Sequence, residues 1–132
     1  MSGITLQQAQ QVLKGALDAA ESAGVPMNVA IVDAGANLTA FSRMDNAWLG
    51  SIDIAIRKAR TARFFDMESG AIGGLSQPGG ALYNIEVSNG GLISFPGGIP
   101  LEAGGEIIGA IGVSGGTVEQ DRSVAQAGVA AL

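Results

Sequence analysis

Leu6, Ala9, Leu13, Ala16, Leu17 and Ala20 recur at helical spacing, and Thr5 with Gln8 three residues on completes a capping box, so the first helix is predicted to run to about Gly24. Pro26 follows the stop, and Met27–Asp33 has the β-branched content of a buried strand. Ala34-Gly35-Ala36-Asn37 turns the chain, and Leu38–Met44 returns as the second arm of a hairpin. Leu49, Ile52, Ala55, Ile56, Ala59 and Ala62 form the apolar stripe of a second helix from about Ala47 to Phe65, with Asp53 and Arg57 as an i,i+4 pair outside the stripe. Glycines and Pro78 break up the stretch from Met67 to Gly91 into two short helical pieces, Ala71–Leu75 and Ala81–Val87.

Three further strands are predicted after it: Leu92–Phe95, Ile99–Glu102 and Glu106–Ser114, separated by Pro96-Gly97-Gly98 and Ala103-Gly104-Gly105. Thr117 with Gln120 makes a second capping box, opening a last helix through about Ala131 on which Val118, Ala125, Val129 and Leu132 face inward. The expected fold is therefore α/β (α+β): a five-stranded, mainly antiparallel sheet with flanking helices, in one domain over residues 1–132.

Composition narrows the chemistry more than it names it. Seven basic residues face twelve acidic ones, a net charge of −5, which repels nucleic acid and anionic lipid. No apolar run reaches the length needed to span a bilayer, and Met1–Thr5 lacks the basic and apolar parts of a leader, so the expected location is cytoplasmic. Charged residues make up 14% of the chain and hydrophobic ones 47%, a balance that predicts a surface partly covered by other copies of itself. The many Ala and Gly residues offer a plainer explanation of the same numbers.

Histidine and cysteine are both absent, which removes disulfides, thiolate nucleophiles, zinc sites of the usual kind and imidazole acid–base catalysis. No metal site and no catalytic residue is assigned. Arg43 and Asp45, between the second strand and the second helix, are candidate ligand-binding residues: Arg43 offers a planar fork to a carboxylate, while Asp45 also reads as a cap of the second helix or as a partner of Arg43. Lys58 is a third candidate; with Arg57, Arg60 and Arg63 it complements the dipole of helix two or forms an anion-facing patch. Lys58 lies about three turns along that helix from Asp45, so convergence of the three requires a neighbouring subunit. Ser114 and Gly115 sit in Gly112–Thr117, between a strand and a helix start, either an anion-holding turn or a tight turn needing glycine. Asp121 reads as an acid complementing the last helix's dipole. Trp48 and Tyr83 either line a pocket or pack in the core.

Several blocks then carry a resemblance over nearly the whole chain: Val29–Gly35 with Leu38, Phe41–Asp45 with Ala47, Ile54-Ala55, Lys58–Ala62, Gly97–Leu101, and above all Gly105–Gly116 with Gln120-Asp121. In these the sequence resembles the GlcG/HbpS-like family, the haem-degrading domain family, related to the C-terminal domain of PduO-type corrinoid adenosyltransferases. The resemblance implies a PAS- or profilin-like fold, homo-oligomers from dimer to octamer, and haem binding or degradation in some members. It also implies neighbours in pathways for small organic acids or diols. The chain has no histidine to serve as haem's axial ligand, leaving Tyr, Lys or Met. The expectation is a small-molecule-binding accessory protein or minor enzyme of a catabolic pathway, with an anionic organic ligand at Arg43, Asp45 and Lys58. The alternatives are a haem-binding or haem-degrading protein and a structural or sensory module.

Overall fold

In the computed structural model, which describes residues 3–132, Thr5 and Thr117 each close the predicted capping box, with Gln8 and Gln120 as the reciprocating side chains. They open α1 (Leu6–Ala23) and α4 (Val118–Ala130). Gly24, at φ +71°, ends α1 in the left-handed conformation, which a Cβ would oppose. The remaining elements are β1 (Asn28–Asp33), β2 (Leu38–Arg43), α2 (Gly50–Phe65), α3 (Ser69–Leu75), β3 (Gly98–Ala103) and β4 (Glu106–Ser114), with one 3₁₀ turn at Ile85–Val87. The leader reading of Met1–Thr5 falls partly on Met1 and Ser2, which lie outside the described residues.

The sheet has four strands, in the order β2-β1-β4-β3, and every neighbouring pair is antiparallel. This corrects the five-stranded expectation. Leu92–Phe95 has strand-like composition but finds its backbone partners elsewhere: Leu92 N–H donates to Glu86 O, Ile93 N–H to Thr61 Oγ1, and Phe95 O accepts from Ser69 Oγ. With those groups satisfied by α2, α3 and the 3₁₀ turn, no ladder remains for the segment to join. What stands is a mixed α/β fold: an antiparallel sheet with helices on both faces.

Alternation along the strands sorts the core into two sides. Val29, Ile31, Ile99, Leu101, Ile111 and Val113 face α1 and α4, meeting Ala9, Val12, Ala16, Val124 and Ala125. Val32 and Ala110, on the opposite face, meet Ala59 and Ala62 of α2. That second interface is unusually close, because a Cβ at Gly112 would stand 2.0 Å from Ala55 O and 2.5 Å from Ala59 N. Glycine at 112 is therefore a packing requirement. It brings α2 onto the sheet and, about one turn after Ala55, lays Lys58 against β4, where its Nζ donates to Val113 O.

Candidate functional site

Arg43 ends β2 at the surface, and its Nε and Nη2 both donate to Ala47 O, at 3.2 and 2.9 Å. The two bonds draw the chain between β2 and α2 into a tight loop. Asp45 lies exposed in that loop and does not cap α2, whose N-cap position is Leu49, without a side-chain cap. Nor does Asp45 pair with Arg43. Beside the loop runs an open groove of about 610 Å³ between the C-terminal turn of α1 and the end of β2. Its apolar wall is Leu17, Ala20, Val25 and Met44; its charged groups are Arg43, Asp45 and Glu21.

Charge pairing sets Arg43 apart. Of the seven cations in the chain, Lys14, Arg57, Lys58, Arg63 and Arg122 are each ion-paired, to Asp18, Asp53, Asp121, Asp66 and Glu68. The other two are Arg43 and Arg60, and Arg60 lies over the Phe64 ring at 5.4 Å. Arg43 is thus the cation that combines a concave setting with no carboxylate partner among the described residues. The basic run on helix two is dispersed: Arg57 reaches the carbonyls of Gly90 and Gly91, and Arg63 holds Ala34 O at 2.7 Å.

Lys58 is placed quite differently from a groove residue. Its side chain is fully buried, with Nζ 2.8 Å from Asp121 Oδ2, 2.8 Å from Val113 O and 4.8 Å from the centre of the Phe95 ring. Burial pushes the Lys58 ammonium below its ordinary value, and the hydrogen bond and charge of Asp121 work against that shift. A fully buried, neutralised ammonium offers no charge to a guest in the Arg43 groove, so the structure does not bring Lys58 together with Arg43 and Asp45.

The Ser114-Gly115 turn is likewise committed internally. Gly115, at φ +144°, packs against Pro26 O and Met27. The next N–H groups are taken: Gly116 donates to Asp121 Oδ1 at 2.9 Å and Thr117 to Gln120 Oε1 at 2.9 Å. The anion at the start of α4 is the protein's own Asp121 carboxylate. Asp121 is therefore more than a dipole-complementing acid; it ties α2, β4 and α4 together. Sequence reasoning missed this because its two partners, Lys58 and Gly116, lie on separate elements, and a 63-residue separation leaves no local signal. Trp48 and Tyr83 are 68% and 58% exposed, so neither packs in the core.

Among the described residues, no cluster of three or more acidic side chains is arranged to hold a metal ion. No helix there is long and apolar enough to cross a membrane.

The family described as "Haem degrading protein HbpS-like" matches residues 4–130. A 15.0 kDa protein from the dhaT-dhaS intergenic region of Citrobacter freundii is 40% identical over 124 residues, covering 93% of this chain and 87% of that protein. The corrinoid adenosyltransferase PduO of Salmonella typhimurium is 37% identical over 130 residues, but the chain spans only 39% of PduO's length. A crystal structure of a PduOC–haem complex superposes with a TM-score of 0.94 at 37% identity, covering 98% of this chain and 95% of that one. With nearly the whole chain matched in sequence and in backbone, the protein belongs to the HbpS-like family.

Proposed function

We propose that this protein binds a small organic anion carrying one acidic group, seated in the groove at Arg43, as an accessory protein or minor enzyme of a catabolic pathway. The observation that carries the reading is the charge pairing: among the described residues, Arg43 alone of the side-chain cations stands in a concave, partly apolar setting without a carboxylate partner. A cleft of this size with few polar groups suits a small ligand. Glu21 and Asp45 on the same walls repel a second negative charge, so a monocarboxylate fits better than a di- or tri-acid. The same two acids can accept hydrogen bonds from hydroxyl groups elsewhere on the guest.

Calorimetric titration with propionate tests the reading. Arg43→Ala removes a partly solvated charge-assisted contact, worth on the order of 1–2 kcal/mol or about tenfold in affinity. Unchanged affinity in Arg43→Ala would move the site away from this groove.

Haem is the second reading, favoured by the similarity to the PduOC–haem complex. The residues around the Arg43 groove do not suit an axially ligated haem. The sequence contains no histidine or cysteine. Met44, on the groove wall, already accepts Met27 N–H on its sulfur at 3.3 Å. Lys58 is buried and paired. No haem-dependent step is therefore assigned. Self-association also belongs to this reading, because Trp48, Leu49, Tyr83 and Val87 expose apolar surface that a second copy would cover.

A further inference from the structure

Asn28 opens β1, next to the groove but on the α2 side of the sheet, and its side chain is fully buried. Its Nδ2 donates to Trp48 O at 3.1 Å, which fixes the orientation of the amide, since the flipped form would set two oxygens against each other. Its Oδ1 is left with no hydrogen-bond donor, the sole buried side-chain polar atom in that state among the described residues. Such an orphan is costly and calls for a missing partner.

The surroundings narrow what that partner is. Asn28 is the direct ladder neighbour of Arg43 on one side and Ser114 on the other, so the three side chains leave one face of the sheet in a row. Ser51, one turn before Ala55 on α2, donates its backbone N–H at 3.2 Å to the same Trp48 O that accepts from Asn28 Nδ2. Ser51 and Ser114 are 5% and 4% exposed; neither hydroxyl bonds to another described residue, and neither is closed off from solvent as Asn28 Oδ1 is. Two hydroxyls that can donate or accept thus accompany one acceptor that must be given a proton. Arg43 borders the row at one end and has no carboxylate partner among the described residues, which disfavours an ammonium or a metal ion, while Asn28 Oδ1 disfavours an anion.

We infer that Asn28, Ser51 and Ser114 form an internal subsite for one neutral hydroxyl, filled by water in the free protein and by an alcohol group of the guest in the complex. The roof is the loop at 45–49, held down by Arg43 on Ala47 O and by Asn28 on Trp48 O. It carries Trp48 and Leu49 at 68% and 72% exposure, so its apolar anchor is Ala47 alone, at 3%. This inference rests on the groove reading only for its second occupant; the water site stands or falls by itself.

The test has two arms. In a high-resolution crystal structure of the free chain, one ordered water is expected within hydrogen-bonding distance of Asn28 Oδ1 and of a serine hydroxyl. Finding Asn28 Oδ1 paired instead with a protein donor, or an empty space there, overturns the subsite. Calorimetry then compares lactate with propionate, which differ only by one hydroxyl. Lactate is expected to bind roughly tenfold tighter to the native chain, the worth of a desolvated hydrogen bond, and to lose that preference in Ser114→Ala. Equal affinities, or a preference that survives in Ser114→Ala and Ser51→Ala alike, overturn the guest's hydroxyl contact. If neither acid binds while the water is present, the Arg43 groove reading fails and the guest's hydroxyl contact fails with it, while the internal water site is upheld.

Discussion

Asp121→Ala is expected to be among the most damaging single changes to this fold, although Asp121 lies in a helix's first turn and would read as a surface acid. The substitution strips Lys58 of the one carboxylate it meets among the described residues while leaving the ammonium fully buried, with Val113 O at 2.8 Å and the Phe95 ring at 4.8 Å as the remaining partners. It also leaves Gly116 N–H without its acceptor. Breaking a buried pair from one side typically costs about 3–5 kcal/mol, because an uncompensated charge stays behind. A domain of this size has roughly 5–15 kcal/mol of stability in total, so the variant should lose a large share of it. Urea unfolding at neutral pH measures the loss. Circular dichroism is the suitable probe, since Trp48 is 68% exposed and its fluorescence would report folding poorly. The double variant Lys58→Met/Asp121→Leu removes both charges and should recover much of the deficit, the pair's desolvation cost having gone with it. A loss below about 1 kcal/mol in Asp121→Ala, or a double variant worse than the single one, would show that the two charges are not coupled as described.

Three further outcomes follow from the same contacts. Burial holds the Lys58 proton affinity below the ordinary lysine value of 10.5, so in the window below 10.5 the unfolded chain carries more protons than the folded one. Stability from this group must then rise with pH there; urea midpoints of the native chain, relative to the double variant, should climb toward pH 10.5, and a falling difference would refute the assignment. Hemin titration should give no sharp, stoichiometric Soret shift, because the sequence has no histidine or cysteine to ligate iron; a tight one-to-one shift would show that Met, Tyr or Lys serves instead. Light scattering should return a mass well above the 13.2 kDa of one chain, since so much apolar surface lies around Trp48, Tyr83 and Val87; a monomer at micromolar concentration would contradict it.

Local pattern made most of the elements legible. Both capping boxes and the Glu106–Ser114 strand stand where side-chain chemistry alone placed them. The Asp53–Arg57 pair is formed as well, at 2.7 Å. Where the pattern misled, the cause was tertiary. Leu92–Phe95 has the composition of a strand, yet side chains of α2 and α3 satisfy its backbone, a fact no window of neighbouring residues contains. Helix two starts later than its apolar pattern suggests because Arg43 and Asn28 pull the carbonyls of Ala47 and Trp48 inward. The place of Arg43 at the end of the second strand was readable from the strand pattern. Lys58 was readable as a cation but not as a buried one, since its neutralising partner lies 63 residues away.

The charged residues explain why one end of the sheet is the informative one. A chain with 14% charged residues that commits most of its cations to internal or surface pairs has few left for recognition. At the end where β1 begins and β2 and β4 finish, it nonetheless spends Arg43, Asn28, Ser114 and Lys58 within the width of three strands. Two of these are fully buried, and burying polar groups costs free energy that an apolar end would not. Lys58 recovers that cost through Asp121, and so has a complete structural explanation. Asn28 recovers only half through Trp48 O, leaving its Oδ1 without a partner. A fold selected only for stability has no use for that residual acceptor, since an apolar side chain of similar volume would fill the space at lower cost. The unmet acceptor beside an arginine without a carboxylate partner among the described residues is thus the feature that separates this end from a merely well-packed one.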